Sequence, residues 1–291
     1  MKFIDKILKQ DTDYCELLDS VTKNLLPLVC TGLSLIHKAV TTAALVRHTG
    51  KKAVLVTHDE SSAAELKDDL SALGVRAVNF PSRDLCIGDL HGYSREYEHK
   101  RTDTLSALAD GDFDVLTVSL DAAIQYTVSP EKLDKARFSL KSGETADIKE
   151  LAKRLVDAGY TRSELCEGEG QFSVRGGIFD VFPVGFSQPC RIEFWGDEID
   201  GISLFDTESQ RRTENIGQVN ITPACETLFD PSELEAALNN LLNQNVKGFT
   251  EKQRETAERD LQALKGGITF RADRYIPFVF GEHTTVFDYV K

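Results

Sequence analysis

The sequence predicts an α/β protein, with a parallel-sheet lobe followed by a smaller α+β domain. Three observations predict it. Between residues 26 and 125, short apolar runs alternate with segments whose apolar residues recur at helical spacing. That is the pattern of βαβ units, hence of a parallel sheet covered on both faces. From residue 171 to 206 the pattern switches to short strands broken by Gly176-Gly177 and Gly196-Asp197 pairs, as in antiparallel hairpins. Finally, 291 residues with 41% hydrophobic and 28% charged content suit about two globular domains, not a disordered chain.

Taken in order, residues 26–31 form a short apolar run that reads as a first strand ending at Gly32. Residues 38–47 are rich in Ala and Leu and read as a helix that stops at Gly50. Residues 53–57 read as a second buried strand, and Asp59 or Ser61 suits the cap of the next helix. In that helix Ala64, Leu66, Leu70 and Leu73 return at helical spacing. Residues 75–80 and 115–118 are further strands, with a helix over 97–109 between them. Residues 148–158 read as a helix with Leu151, Leu155 and Val156 on one side. The strands of the second module follow at 172–175, 178–182, 191–195 and 199–205. After Pro223 two polar amphipathic helices are expected at 232–243 and 250–264, and apolar strand-like runs at 274–280 and 285–290. The expected divisions are 1–136, 137–222 and 223–291. An apolar run that stops at Lys291 predicts a boundary inside a longer protein.

Charge and cysteine usage exclude several functions. The chain has 34 basic and 47 acidic residues, a formal net charge of −13. A generic grip on nucleic acid needs Lys and Arg against phosphates, so it is disfavoured. Lys51-Lys52 and residues 132–137 are the basic clusters to inspect, and a solvated face explains them more simply. No apolar run is long enough to span a membrane, and the N-terminus has no signal-peptide pattern, so a cytoplasmic location is expected. The six cysteines, Cys15, Cys30, Cys86, Cys166, Cys190 and Cys225, show no CxxC spacing and read as free thiols rather than a zinc site. Asp197, Glu198 and Asp200 surround a hairpin turn and read as solvated acids, so no metal site is expected. His58-Asp59-Glu60 is a natural helix start with no nucleophile nearby, and His91 and His99 fall on exposed positions. No catalytic residue emerges.

The most informative segment of the first lobe is Thr31-Gly32-Leu33-Ser34-Leu35-Ile36-His37-Lys38-Ala39. A working P-loop reads G-x-x-x-x-G-K-[ST], between a strand and a helix. Gly32 and Lys38 keep the correct separation, but His37 stands at the second glycine and Ala39 at the Ser/Thr. A Cβ at the glycine hinders the backbone from curling round phosphates. Ala39 has no oxygen for Mg²⁺. The segment reads as a degenerate P-loop without catalytic function.

The second module carries a family resemblance. Glu167-Gly168-Glu169-Gly170-Gln171-Phe172-Ser173-Val174-Arg175-Gly176-Gly177-Ile178-Phe179-Asp180-Val181-Phe182-Pro183, then Arg191-Ile192-Glu193-Phe194-Trp195-Gly196-Asp197-Glu198-Ile199-Asp200 and Leu204-Phe205-Asp206-Thr207-Glu208-Ser209-Gln210-Arg211, are long and ordered. They resemble the N-terminal region of the bacterial transcription-repair coupling factors, a region itself similar to the excinuclease protein UvrB. The resemblance covers roughly residues 25–291. It implies a degenerate P-loop NTPase-like (RecA-like) lobe with an inserted α+β domain that docks the excinuclease protein UvrA, and a last segment packing back on the lobe. The polymerase-binding and DNA-motor domains of the family, with their ATP and Mg²⁺, would come later, so no cofactor is expected here. RNA polymerase and DNA would be partners through those later domains. UvrB has a long tyrosine-rich hairpin for damaged DNA, whereas the stretch 80–93 has only Tyr93.

The strand Arg191-Ile192-Glu193-Phe194-Trp195 points Ile192 and Phe194 to one face and Arg191, Glu193 and Trp195 to the other. Trp195 is the sole Trp of the chain, and Trp with Arg on a solvent face suits a binding hot spot. The resemblance implies that Arg175, Arg191 and Trp195 contact UvrA, with Trp in place of the more familiar Phe. An adaptor without catalysis is therefore the expected function. The alternative is an ATP-dependent repair enzyme resembling UvrB, with a divergent but working P-loop. An intramolecular regulator that masks its own docking face is compatible with the adaptor.

Overall fold

The computed structural model describes residues 2–83, 95–243, 249–268, 270, 272–280 and 283–290. The chain divides into two compact units, one of Met1–Ser82 with Ala107–Gln125, the other of Arg83–Ser106 with Tyr126–Val290. The boundaries expected at 136/137 and 222/223 both fall inside the second unit.

In the first unit, strands β1 (Ala53–Thr57), β2 (Ala77–Phe80) and β3 (Val115–Ser119) form a parallel sheet in the order β1-β3-β2. Val115 is in register with both Ala53 and Ala77, so β3 is central, and all five of its residues are buried. Helix Leu35–Thr49 ends on Gly50, whose φ of 68° is the left-handed cap that glycine adopts without strain. Helix Glu60–Ala72 starts at Asp59, whose carboxylate accepts from the Ser62 amide at 2.6 Å. The two helices and the sheet share a core of Ala39, Ala43, Leu66, Leu70, Val75 and Val115. Two helices that sequence patterning missed, Lys2–Leu8 and Thr12–Thr22, precede them. The second is capped by Asp11 on the Tyr14 amide, and Tyr14 is anchored by its hydroxyl to His48 Nδ1 at 2.7 Å.

The strand expected at 26–31 is absent. The segment pairs with no described strand, and Leu26, Leu28 and Val29 are exposed, Val29 to 88%. Pro27 has no N–H to give a ladder, which removes one of the few bonds a six-residue strand could make.

In the second unit, β4 (Phe138–Lys141) is followed by β5 (Thr161–Arg162), β6 (Gln171–Arg175), β7 (Ile178–Val181), β8 (Cys190–Trp195), β9 (Glu198–Phe205) and β10 (Arg212–Ile216). Strands β5 to β10 form one sheet in reverse chain order, antiparallel throughout except for the β5–β6 pair. A last strand, β11 (Gln218–Ile221), pairs antiparallel with β4. Helix Ile148–Asp157, capped by Asp147 on the Lys149 and Glu150 amides, lays Leu151 and Leu155 on the inner face of the sheet. There they meet Phe172, Phe179, Val181, Ile192 and Ile199. Each such side chain contributes about 1.5–3 kcal/mol through burial.

Helices Pro231–Asn243 and Glu251–Lys265 form a further apolar cluster with Tyr275 through Leu234, Leu238, Leu241 and Ala257. The strands expected at 274–280 and 285–290 are helical turns instead. Residues Ile276–Val279 form a short α-helix with Pro277 in its first turn, where a missing N–H costs nothing. Residues Val286–Tyr289 form a 3₁₀ turn started by a Thr285/Asp288 capping box. Apolar content without alternation carries no information about period.

Candidate docking surface

One face of the six-stranded sheet is apolar and covered by helix Ile148–Asp157; the other carries the residues expected to bind a partner. Register places them. Ser173, Asp180, Arg191 and Ser203 lie in one row across β6, β7, β8 and β9. Arg175, Ile178, Glu193 and Gly201 lie in the next. The β8–β9 register shifts between Glu193 and Phe194 because Asp200 of β9 is unpaired: Glu193 faces Gly201 but Phe194 faces Ile199. The irregularity therefore belongs to β9, and alternation on β8 survives. Trp195 stands on the same face as Arg191 and Glu193, beside the Gly196-Asp197 turn, and is 84% exposed. Ile192 is fully buried, while Phe194 is only partly buried against the core.

The Gly176-Gly177 turn fixes Arg175. Gly176 has φ 60°, and Phe194 N donates to Gly177 O at 2.8 Å. A Cβ on Gly177 would stand 3.0 Å from the Phe194 carbonyl oxygen, so a side chain there would require the β8 backbone to give by a few tenths of an ångström.

Arg191 lies on the outer face, as alternation along β8 predicts, and it already has partners there. Its Nε donates to Asp180 Oδ1 at 2.7 Å and its Nη2 to Asp180 Oδ2 at 2.9 Å. Nη1 donates to the Gln210 carbonyl at 3.1 Å and Nη2 also to Gln210 Oε1 at 3.2 Å. The guanidinium lies 4.4 Å from the centre of the buried Phe205 ring. Only 13% of the side chain is exposed, and the Asp180 hydrogen bonds hold its proton more tightly than in a free arginine. Arg175 Nη2 donates to the same Asp180 at 2.7 Å, but its side chain is 44% exposed. Asp180 itself is fully buried. Sequence reading missed Asp180, Phe205 and Gln210. The Gly-Gly turn alone would have set Ser173 opposite Asp180, but the β7–β8 pairing crosses a longer loop whose length does not fix register.

The residues of the P-loop-like spacing, Gly32, His37, Lys38 and Ala39, lie at or just before the start of helix Leu35–Thr49. Gly32 has φ 80°, Ser34 Oγ contacts His37 Nδ1 at 2.9 Å, and His37 and Lys38 are exposed. Ala39 is fully buried in the core and presents nothing to the loop. With no strand before it, the segment lacks half of the expected P-loop context.

His99 is buried rather than exposed and lines a cleft of about 650 Å³ with Arg95, Lys100, Asp103 and Glu169. Burial, helped by Arg95, pushes His99 down to about 4. Burial pushes the Glu98 carboxyl, on the same helix Glu96–Ala109, up to about 7. Within the same unit, Glu226 accepts from Arg83 at 2.6 Å, from Thr127 at 2.6 Å, and from Arg101. Burial alone would raise the Glu226 carboxyl, but Arg101 and Arg83 outweigh it and bring it to about 2.

Asp197, Glu198 and Asp200 are exposed as expected, and His58 pairs with the capping Asp59 at 2.6 Å, as suits a helix start. Among the described residues, no cluster of His, Cys, Asp or Glu is placed to hold a metal ion. None of the helices described is long and apolar enough to cross a membrane. Cys15 and Cys30 are exposed free thiols, and Cys166, Cys190 and Cys225 are buried ones. Cys86, His91 and Tyr93 lie outside the described residues.

The sheet that carries this surface has known counterparts. Residues 138–226 match the UvrB interaction domain. Over 99% of its length the chain is 28% identical to the transcription-repair-coupling factor of Bacillus subtilis, and 28% identical to those of two Staphylococcus aureus strains, RF122 and MRSA252. The chain is similar to the transcription-repair-coupling factors. The chain spans about a quarter of the length of these curated relatives, 26% of the Bacillus and 25% of the Staphylococcus proteins. The domain match starts at β4 and ends at Glu226, so it contains the whole six-stranded sheet and every residue of the Arg175–Asp180–Arg191 cluster.

Proposed function

We propose that the chain is an adaptor module of a transcription-repair-coupling factor, and that the outer face of its six-stranded sheet docks the excinuclease protein UvrA. The observation that carries this reading is the exposure of Trp195 on the same sheet face as a two-arginine cluster, inside the segment that matches the UvrB interaction domain. Trp and Arg are the residue types in which binding energy concentrates. The module has no catalytic step of its own. Ala39 and His37 deprive the loop of a metal-binding hydroxyl and of a flexible glycine, which speaks against the alternative of an ATP-driven enzyme. ATP and Mg²⁺, RNA polymerase and DNA would belong to other parts of the full factor. Buried thiols at Cys166, Cys190 and Cys225 suit a reducing cytoplasm.

The test is calorimetric titration of the chain into purified UvrA. Parent protein should bind saturably, and Trp195→Ala should lose about 30-fold or more in affinity, the hot-spot level, with an unchanged melting temperature. Equal affinity of parent and Trp195→Ala would refute this face.

A further inference from the structure

The two arginines differ in what they have left to offer. A guanidinium carries five N–H donors. Arg191 uses four of these on Asp180 and Gln210, and its guanidinium carbon lies 4.4 Å from the centre of the Phe205 ring. Gln210 is held in the left-handed region, φ 57°, which disfavours a residue with a Cβ. Its carbonyl and its side-chain amide nevertheless both turn to Arg191. The local backbone is thus arranged around this one side chain. Among the described residues Arg175 makes a single bond, to Asp180, and has donors enough for a two-pronged contact with an incoming carboxylate.

A buried carboxylate needs a counter-charge, and one arginine would suffice. Asp180 has two, which leaves the cluster one positive charge in excess on a chain whose net charge is −13. That excess sits on the more exposed member. We propose that the surface is divided in role: Arg175 is the group that reads an acidic side chain of the partner, Asp180 is the positioning residue that aims it, and Arg191 is the counter-ion that keeps Asp180 buried. This rests on the docking reading above, and it departs from an assignment in which both arginines contact the partner equally.

The experiment pairs affinity for UvrA, measured over a range of salt concentrations, with thermal melts of Arg175→Ala, Arg191→Ala, Asp180→Asn, Trp195→Ala and the double variant Asp180→Asn/Arg175→Ala. Arg175→Ala should weaken binding about 30-fold, flatten the salt dependence and leave the melt unchanged. Arg191→Ala should lower the melting temperature, because it strips the better-bonded partner from a buried carboxylate. Asp180→Asn keeps the shape of the side chain and should weaken binding by about tenfold. That loss should vanish in the Arg175→Ala background, because Asp180 acts through Arg175. A merely structural Asp180 would lose the same factor in both backgrounds, which overturns its positioning role. If Arg175→Ala binds like the parent while Arg191→Ala loses affinity at an unchanged melting temperature, the division of roles is wrong and the docking face stands. If Trp195→Ala binds like the parent, the docking reading itself fails. The Arg175→Ala arm decides the main claim even where Asp180→Asn does not fold.

Discussion

Glu98 is a carboxyl that the second unit keeps out of water, with Arg95 Nε at 3.4 Å as its nearest cationic partner. Its folded value of about 7 lies above the ordinary 4.5. Between those values the folded chain holds a proton that the unfolded chain has released, so stability falls as pH rises through this window, and the penalty is complete above pH 7. Glu98→Gln should therefore raise the melting temperature relative to the parent more at pH 8 than at pH 5, by the equivalent of about 2–3 kcal/mol. A gain that is the same at both pH values would show that Glu98 is ionised in the fold without strain. His99 works in the opposite sense, losing stability as pH falls from 6.5 towards 4, but it is present in both proteins and cancels from the comparison. At this scale the sequence was readable where a residue's own chemistry sufficed. A lone Trp on the polar side of an alternating strand could face only outward, and Trp195 does. Arg191 was not readable, because what holds it comes from Asp180 on the neighbouring strand and from Gln210 beyond the next one. His99 was missed for the same reason: its cover comes from Gly170, where any Cβ would stand 2.7 Å from its Nε2.

Elements were legible in proportion to their period. Strand β8 alternates along its length in sequence, and the helices Ile148–Asp157 and Glu251–Lys265 start at side-chain caps and carry a 3.6-residue stripe. The runs that are apolar without a period, at 26–31, 274–280 and 285–290, read as strands in sequence; the first is exposed chain, and the others hold the short helical turns Ile276–Val279 and Val286–Tyr289. The same lesson applies to the P-loop motif. Spacing alone placed Gly32 and Lys38 as in a nucleotide site, while the element that should precede them is missing and Ala39 is spent on the core. The expected outcome is that ATP with Mg²⁺ does not raise the melting temperature. A ligand at a hundred times its Kd would stabilise the fold by about 2.7 kcal/mol, an easily measured shift. A clear shift that disappears in Lys38→Ala would restore the loop to function and favour the ATP-driven alternative.

For the molecule as a whole, charge sets what it can approach. A formal charge of −13 repels a phosphate backbone at long range, so affinity for duplex DNA would have to come from a local basic patch. The candidate patches are already occupied. Lys51 donates to the Val21 carbonyl at 3.3 Å, and Lys52 lies 4.2 Å from the centre of the Phe113 ring. Lys132 sits 3.7 Å from Glu233 and Arg137 3.3 Å from Asp134. Arg76 is bridged to both Asp112 and Asp114 at 2.6 Å. Each of these cations brings an acid or a packing partner with it, so neutralising a phosphate would mean breaking a contact already made. The excess charge at Arg175 is a single one, enough to pair with one carboxylate and far short of the several contacts that hold a duplex. We expect fluorescence anisotropy with a labelled duplex to show a Kd for this chain no tighter than about 10⁻⁴ M at physiological salt, the weak end of non-specific binding. Because each neutralised phosphate adds about 0.9 to the slope of log K against log salt, a chain that grips none should show a slope near zero. Sub-micromolar binding with a steep slope would mean that the pairs at Lys132, Arg137 and Arg76 open towards DNA, and that the net charge is a poor guide to this surface.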